Sequence, residues 1–330
     1  MINKEIAPNA LRGCSVLVTG GTGSFGRHFV NFALNQTEAA RVIVFSRDEL
    51  KQHEMQEHYG ENPRLRFFLG NVRERDRLLR AFDGVDIVVH AAALKQIPAA
   101  EYNPFEFVKT NVLGAQNVID AAIDRNVQKV IALSTDKASS PINLYGATKL
   151  VSDRLFVAGN SYSGHKKTRF SVVRYGNVVG SRGSIVWRLK QMQAGQTFNL
   201  TDPRMTRFWI TLDQAVRFVF ASLEEMRGGE IFIPKLPSMK VTDLIRAVAP
   251  HLTVKTTGIR PGEKLHEEMI SAEESRRAVD RGDHYAILPE IAWQHQERLE
   301  GDALPEAFRY ASDSNDEWLD PDTLRRRLDG

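Results

Sequence analysis

Six short apolar runs alternate with helix-patterned stretches through the first half of the chain, and this alternation restricts the fold more than any other feature. The runs are SVLVTG (15–20), RVIVFS (41–46), LRFFLG (65–70), DIVVHAAA (86–93), KVIALST (129–135) and FSVVRYGNVVG (170–180). Their near-continuous apolar content suits strands of a parallel sheet, which are covered on both faces. Intervening segments such as PFEFVKTNVLGAQNVIDAAIDRN (104–126) carry helical spacing. The pattern predicts an α/β fold built on a doubly wound parallel sheet, with ligands bound past the carboxyl ends of its strands. A chain of 330 residues with 42% hydrophobic content can bury the core such a sheet needs. After about residue 180 the alternation loosens. GSIVWRLKQMQAG (183–195) and LDQAVRFVFASLEEM (212–226) read as helices, and EIFIPK (230–235) as a short strand. VTDLIRAVAP (241–250) reads as a helix begun by a Thr cap and stopped at Pro250. The tail RYASDSNDEWLDPDTLRRRL (309–328) is polar and is expected to be mobile in part.

The first strand runs into a glycine turn and a helix, VLVTGGTGSFGRHFV (16–30), with Gly20, Gly23 and Gly26 three residues apart. Glycine permits the tight turn and brings backbone N–H groups up to a pyrophosphate at the helix N-terminus. The fold is therefore expected to be Rossmann-type, with Gly20, Thr22, Gly23, Ser24, Phe25 and Gly26 on a dinucleotide. Residues 13–180 are expected to form this domain. Residues 181–330 are expected to form a smaller C-terminal substrate-binding region, mixed α/β and interleaved with the sheet. Cofactor choice is read after the second strand, where an acidic residue would hold the ribose of NAD. Here Ser46 is followed by Arg47 and Lys51. A hydroxyl and two cations suit a 2′-phosphate, so NADP is expected, with Asp48 as the alternative ribose ligand. Asn71 and Val72 are expected beside the adenine. Ala91, Ala92, Ala93 and Lys95 are expected along the far half of the cofactor, and Asn111 is also assigned to its site.

YGATK places Tyr145 and Lys149 four residues apart, on one face of a helix. The lysine cation is expected to lower the phenol pKa from about 10 and to contact the cofactor ribose. Tyr145 could then take a hydroxyl proton while hydride leaves the carbon, with Thr135 bonded to the same oxygen. Other chemistries find little support. Cys14 is the sole cysteine and the nine His form no ligand-like pair, so no metal site is expected. The 44 basic and 41 acidic residues leave a net charge of only +3 with no long basic run, so nucleic acid is not an expected partner. No apolar run reaches the roughly 18 residues of a membrane-spanning helix. MINKEIAPNALRG lacks the apolar stretch of a signal peptide, so a cytoplasmic protein is expected.

With these motifs in this order, the chain resembles the extended short-chain dehydrogenase/reductase superfamily. GGTGSFG, SRDELKQ, HAAALKQIPAAEYNPFE, LSTDKASSPINLYGATKL, RYGNVVGSRGS, MTRFWIT and IRPGEKLHE narrow the resemblance to its polysaccharide synthase-like branch. Within that branch they resemble the soluble UDP-N-acetylglucosamine 4,6-dehydratases that invert C5 and open pseudaminic acid biosynthesis. The likeness runs from about residue 13 to 272. One departure is Asn71, where these enzymes usually carry Asp.

The resemblance implies oxidation at C4 of the sugar, with hydride passing to NADP. Lys137 would remove the C5 proton and Asp136 would protonate the departing C6 hydroxyl. Hydride would return to C6 and C5 would be reprotonated on its other face, giving UDP-2-acetamido-2,6-dideoxy-beta-L-arabino-hex-4-ulose. It also implies substrate contacts from Lys95, Lys137, Tyr145, Asn177, Val178 and Arg182, with Thr201 beside the uridine. Arg260 and Glu263 would serve the diphosphate and ribose, and a homo-oligomer, a hexamer, is implied. Arg207 suits either a substrate contact or a tie between the substrate region and the sheet. A basic Lys137 must be neutral, which requires a fall of about three units from about 10.4. Burial, Lys149 and the nicotinamide are expected to drive that fall, with Asp136 opposing it. A UDP-sugar 4-epimerase would need no acid/base pair for C5 and C6. Retaining 4,6-dehydratases carry Asp-Glu at this pair, and large membrane-anchored relatives often replace the Tyr by Met. A catalytically silent NADP-binding regulator would tolerate loss of Tyr145 or Lys149. The residues present favour the inverting dehydratase.

Overall fold

A computed structural model describes Ile6, residues 11–290 and residues 299–329. Most of the N-terminal stretch read above for a leader, and residues 291–298 and 330 of the expected substrate region, lie outside the described residues. All six apolar runs are strands: β1 Ser15–Thr19, β2 Arg41–Ser46, β3 Leu65–Leu69, β4 Ile87–His90, β5 Lys129–Thr135 and β6 Arg169–Tyr175. They lie parallel in the order β3-β2-β1-β4-β5-β6. Every residue of β1 and β4 is buried, which is why these runs show no alternation. The strand order reverses at β1, so a crevice opens beyond Thr19 and His90.

The C-terminal half returns to this sheet. Ile231–Pro234 pairs parallel to β6. His284–Ile287, Ala278–Asp280 and Asp302–Ala303 then add antiparallel strands, making ten in all. Phe232, Ile233, Ala286 and Ile287 share one apolar core with Val16, Leu17 and Val18. Helices cover both faces. Helix α1, Ser24–Gln36, buries Phe29, Val30 and Ala33. Phe29 stacks on Phe220 of the helix Leu212–Glu225, whose start is fixed by a Thr211–Gln214 capping box.

A second core gathers Val186, Leu189, Phe198, Leu200, Trp209, Leu244 and Ile245. It is enclosed by the helices Ile185–Gln191 and Val241–Val248 and by small sheets that include Thr206–Ile210 and Thr197–Leu200. The helix Val241–Val248 is not capped by a Thr. Its N-cap is Lys240, without a side-chain bond, because the chain enters directly from the strand Ser238–Lys240. The tail also differs from expectation. The Leu236 N–H donates to the Tyr310 hydroxyl at 2.7 Å, and Leu319 and Leu324 enter the second core. A few spaced apolar anchors hold a segment whose average composition is polar. Among the described residues, no helix is long and apolar enough to cross a membrane.

The stretch 104–126 is helical but not uniform. Pro104–Phe107 and Gly114–Asp124 flank a π-helical segment, Val108–Leu113. Asn111 lies in that segment with only 1% exposure. It accepts from the Leu94 N–H at 2.9 Å and donates to the Leu94 carbonyl and the Thr148 hydroxyl. Asn111 therefore braces the loop after β4 against the Tyr145 helix, Leu144–Tyr162, and does not face the cleft.

Candidate active site

A cleft of about 890 Å³ lies between the carboxyl ends of the main strands and the second core. Every cofactor and substrate residue expected from the sequence lines it except Asn111, and of the catalytic group only Asp136 does not. At the glycine turn, Gly20 has φ of 67°, and a Cβ there would lie 2.9 Å from the Ala92 nitrogen. A Cβ on Gly26 would lie 2.5 Å from the Gly21 Cα. No side chain caps α1 at Gly23, so its first-turn N–H groups are free for an anion. These features fit a dinucleotide pyrophosphate.

At the adenosine end, Gln52 donates to the Ser46 hydroxyl at 3.0 Å. Asp48 is the N-cap of α2, Glu49–Tyr59, accepting from the Lys51 N–H at 3.1 Å and pairing with the Lys51 ammonium. The hydrogen bonds from Lys51 hold this carboxyl below the usual carboxylate range. Asp48 is thus engaged as a helix cap. Arg47 is exposed at the same rim. Arg182, expected among the substrate contacts, lies at this end instead: its backbone N–H donates to Ser24 Oγ at 3.0 Å and its cation acts on Asp48.

At the other end, the helix Leu144–Tyr162 begins with Asn143 accepting from the Gly146 N–H. Lys149 is 3% exposed and donates to the Leu133 carbonyl at 2.7 Å. Burial lowers its pKa against the pull of Asp153. Burial also pushes the Tyr145 phenol up to about 12, opposed by Lys137 and by a hydrogen bond with Thr135. The lowering expected from Lys149 is not found, because its ammonium is turned to the Leu133 carbonyl and Asp153.

Lys137 follows β5 on a tight 3₁₀ turn, Asp136–Ala138. Its ammonium lies 3.0 Å from Asp136 Oδ1, 3.3 Å from Glu267 Oε1 and 3.5 Å from Asn177 Oδ1. Burial favours the neutral amine, but the two carboxylates outweigh it and raise the pKa above its ordinary value. The expected fall is therefore not found: Asp136 opposes it as anticipated, and Glu267 adds a second carboxylate. Asp136 is fully buried. Its Oδ1 accepts from the Thr135 hydroxyl and Lys137, while Oδ2 has no partner.

Glu267 receives no role from the sequence, although it closes the motif IRPGEKLHE and Glu263 of the same segment does receive one; long-range packing buries it. Segment 262–274 clasps the loop after β5 that bears Lys137. Lys264 donates to the Ser139 carbonyl at 2.7 Å, and Asn143 donates to the Gly262 carbonyl at 2.8 Å. Ser139 donates toward Glu268 and Glu274 at 3.3 Å each. Behind them, Arg174 bridges Glu274 at 2.9 Å and Asp153 at 3.5 Å, and Ser134 bonds Asp153 at 2.7 Å. Arg207 donates to the carbonyls of Lys264 and Leu265, so it ties this segment to the strand Thr206–Ile210. Among the described residues, no group of three or more His, Cys, Asp or Glu is placed to hold a metal ion.

A match to the family described as polysaccharide biosynthesis protein spans residues 16–289. The UDP-N-acetylglucosamine 4,6-dehydratase (inverting) of Campylobacter jejuni (strain 81-176) is 52% identical over 316 residues, covering 93% of this chain and 94% of the relative. Among solved structures, Pen from Bacillus thuringiensis is 35% identical with a TM-score of 0.88, covering 96% of this chain and 97% of that one. DesIV, a dTDP-glucose 4,6-dehydratase from Streptomyces venezuelae solved with NAD and TYD bound, is 27% identical. Its TM-score is 0.67, over 76% of this chain and 86% of its own.

Proposed function

The chain belongs to the polysaccharide biosynthesis protein family, and from that premise we propose that it is a UDP-N-acetylglucosamine 4,6-dehydratase, a hydro-lyase that inverts C5. The observation that carries the proposal is Lys137, a lysine on the cleft beside Tyr145 and paired with Asp136. An epimerase moves a proton only at O4 and needs no such group. A nicotinamide dinucleotide fits the glycine turn, Asn71, Val72 and Lys149. We assign it as NADP, because Arg47, Lys51 and Arg182 gather at the adenosine end and Asp48 is engaged as a cap. Such a cofactor supplies hydride acceptance at C4 and hydride return at C6.

The chain's residues handle the protons. Tyr145 accepts the O4 proton. Lys137, as neutral amine, takes the C5 proton, which the C4 ketone acidifies. The departing C6 hydroxyl leaves with a proton from the Asp136 carboxyl, whose O–H bond breaks as the C6–O bond breaks. C5 regains a proton on its opposite face. The O4 proton and the C6 hydroxyl together balance as one water. We assign Lys95, Asn177, Val178, Thr201, Arg260 and Glu263, which line the cleft, to the nucleotide-sugar. We assign residues 13–180 to cofactor binding and 181–330 to the substrate region. The enzyme is proposed to act in the cytoplasm, as a hexamer, at the opening of pseudaminic acid biosynthesis.

The test is incubation with UDP-N-acetylglucosamine in deuterated water, followed by NMR. The expected product has a new C6 methyl beside a C4 ketone or its hydrate, with deuterium at C5 and none from solvent at C6. UDP-N-acetylgalactosamine would establish an epimerase, and unchanged substrate would leave only a regulator.

A further inference from the structure

Glu267 is 2% exposed yet lines the cleft. Its Oε1 sits 3.3 Å from Lys137 Nζ and 3.7 Å from Arg207 Nε. Its Oε2 is buried and has no hydrogen-bond partner. A buried carboxylate oxygen left unpaired is costly, so such an atom marks a place where a proton or a substrate donor belongs. Asp136 also touches Lys137, but it is wholly buried and does not line the cleft.

We propose that Glu267 is a further acid/base residue of the site, which takes the proton from Lys137 and so delivers the neutral amine to C5. The inference rests on the dehydratase reading. The step is a simple transfer: an N–H bond of Lys137 breaks, an O–H bond forms on Glu267, and an ion pair becomes two neutral groups. Substrate entry favours it, because excluding water penalises both charges at once. The charged and titratable groups facing the pair are Asp136, Tyr145, Lys95, Arg207 and Lys264. Arg207, Lys95 and Lys264 are cations that disfavour a second positive charge on Lys137. Asp136 acts against them and keeps the resting amine protonated.

The decisive variant is Glu267→Gln, which keeps shape and removes the proton acceptor. It should still fold and bind NADP, though its Tm should fall because Lys137 and Arg207 lose a buried carboxylate partner. Formation of product deuterated at C5 should fall about 10²–10⁴-fold near neutral pH, the usual scale for losing a general acid/base group. The loss should shrink as pH rises, because solvent can then deprotonate Lys137 directly. Glu267→Asp should hold the wild-type pH profile. In a second arm, formate should restore neutral-pH turnover to Glu267→Ala. The proposal is overturned by wild-type or faster neutral-pH turnover in Glu267→Gln, by a loss that does not change with pH, or by failure of formate rescue. If the wild type itself leaves C5 unlabelled, the dehydratase reading has failed instead.

Discussion

Arg174 offers a sharp test of how the site is supported. Its side chain is fully buried between Asp153 and Glu274, which are 1% and 8% exposed. Arg174→Met preserves length and apolar stem but removes the cation that both carboxylates share. Breaking a buried ion pair in this way costs about 3–5 kcal/mol. An unfolding entropy of about 2.1 cal/mol/K per residue, taken over 330 residues, gives roughly 0.7 kcal/mol/K. The expected fall in Tm is then about 4–7 °C by scanning calorimetry at neutral pH. The pH dependence adds a second reading. Burial pushes the Glu274 pKa up, but Arg174 outweighs it and the folded value is lowered. That contribution is present above the unfolded pKa of about 4.3 and is lost as pH falls through the folded value. The gap between wild type and variant should therefore narrow under acid conditions. Arg174→Met combined with Glu274→Met should recover part of the loss, since the carboxylate that remains, Asp153, still faces the Lys149 cation. An unchanged Tm in the single variant, or a double variant much worse than the single, would refute the reasoning.

Lys137→Ala should fold and bind NADP, yet lose about 10²–10⁴ in elimination rate, checked by NMR of the product; near-normal turnover would remove Lys137 from the mechanism. Arg47→Ala with Lys51→Ala should weaken NADP binding much more than NAD binding by calorimetric titration, and equal losses would show that neither side chain reads the 2′-phosphate. Gly26→Ala should abolish binding of either dinucleotide, because its Cβ would lie 2.5 Å from the Gly21 backbone; fluorescence titration against NADPH checks this. His90 is buried against Thr19 and its pKa is lowered by burial to about 3. The unfolded chain binds this proton first, so stability should drop as pH falls from about 6.5 toward 3. Thermal melts of His90→Gln should show a shallower drop than the wild type over that window.

The parallel sheet was legible because its strands are short, apolar on both faces and separated by helices, so β1 to β5 match their runs closely; the run 170–180 instead leaves the sheet after Tyr175, and Asn177–Val178 pairs with Thr206–Ile210 in a smaller sheet. The glycine turn was legible for the same local reason. What failed to show was whatever depends on distant packing. The Lys137 charge state depends on Glu267 as well as on Asp136, and although Glu267 closes the motif IRPGEKLHE, its contact with Lys137 is set by packing across the chain. Asn111 is a polar residue in a helix near the cofactor loop, but its three bonds to Leu94 and Thr148 are all structural. Thr242 looked like a cap because the strand feeding its helix was not recognised. The tail looked mobile because Tyr310, Leu319 and Leu324 are spaced without a helical or strand period.

The clasp of residues 262–274 on the Lys137 loop bears on the order in which the protein acquires its properties. The dinucleotide half is assembled from strand–helix–strand units that are neighbours in sequence. The loop bearing Lys137 is instead held by Lys264 and Glu274, whose bonds to Ser139 span 125 and 135 residues. Contacts across such long closures are entropically costly and tend to form late. Folding should thus pass through a stage at which nicotinamide can bind while chemistry cannot yet occur. The same division persists in the native state: a transient release of the clasp would silence turnover without expelling the cofactor.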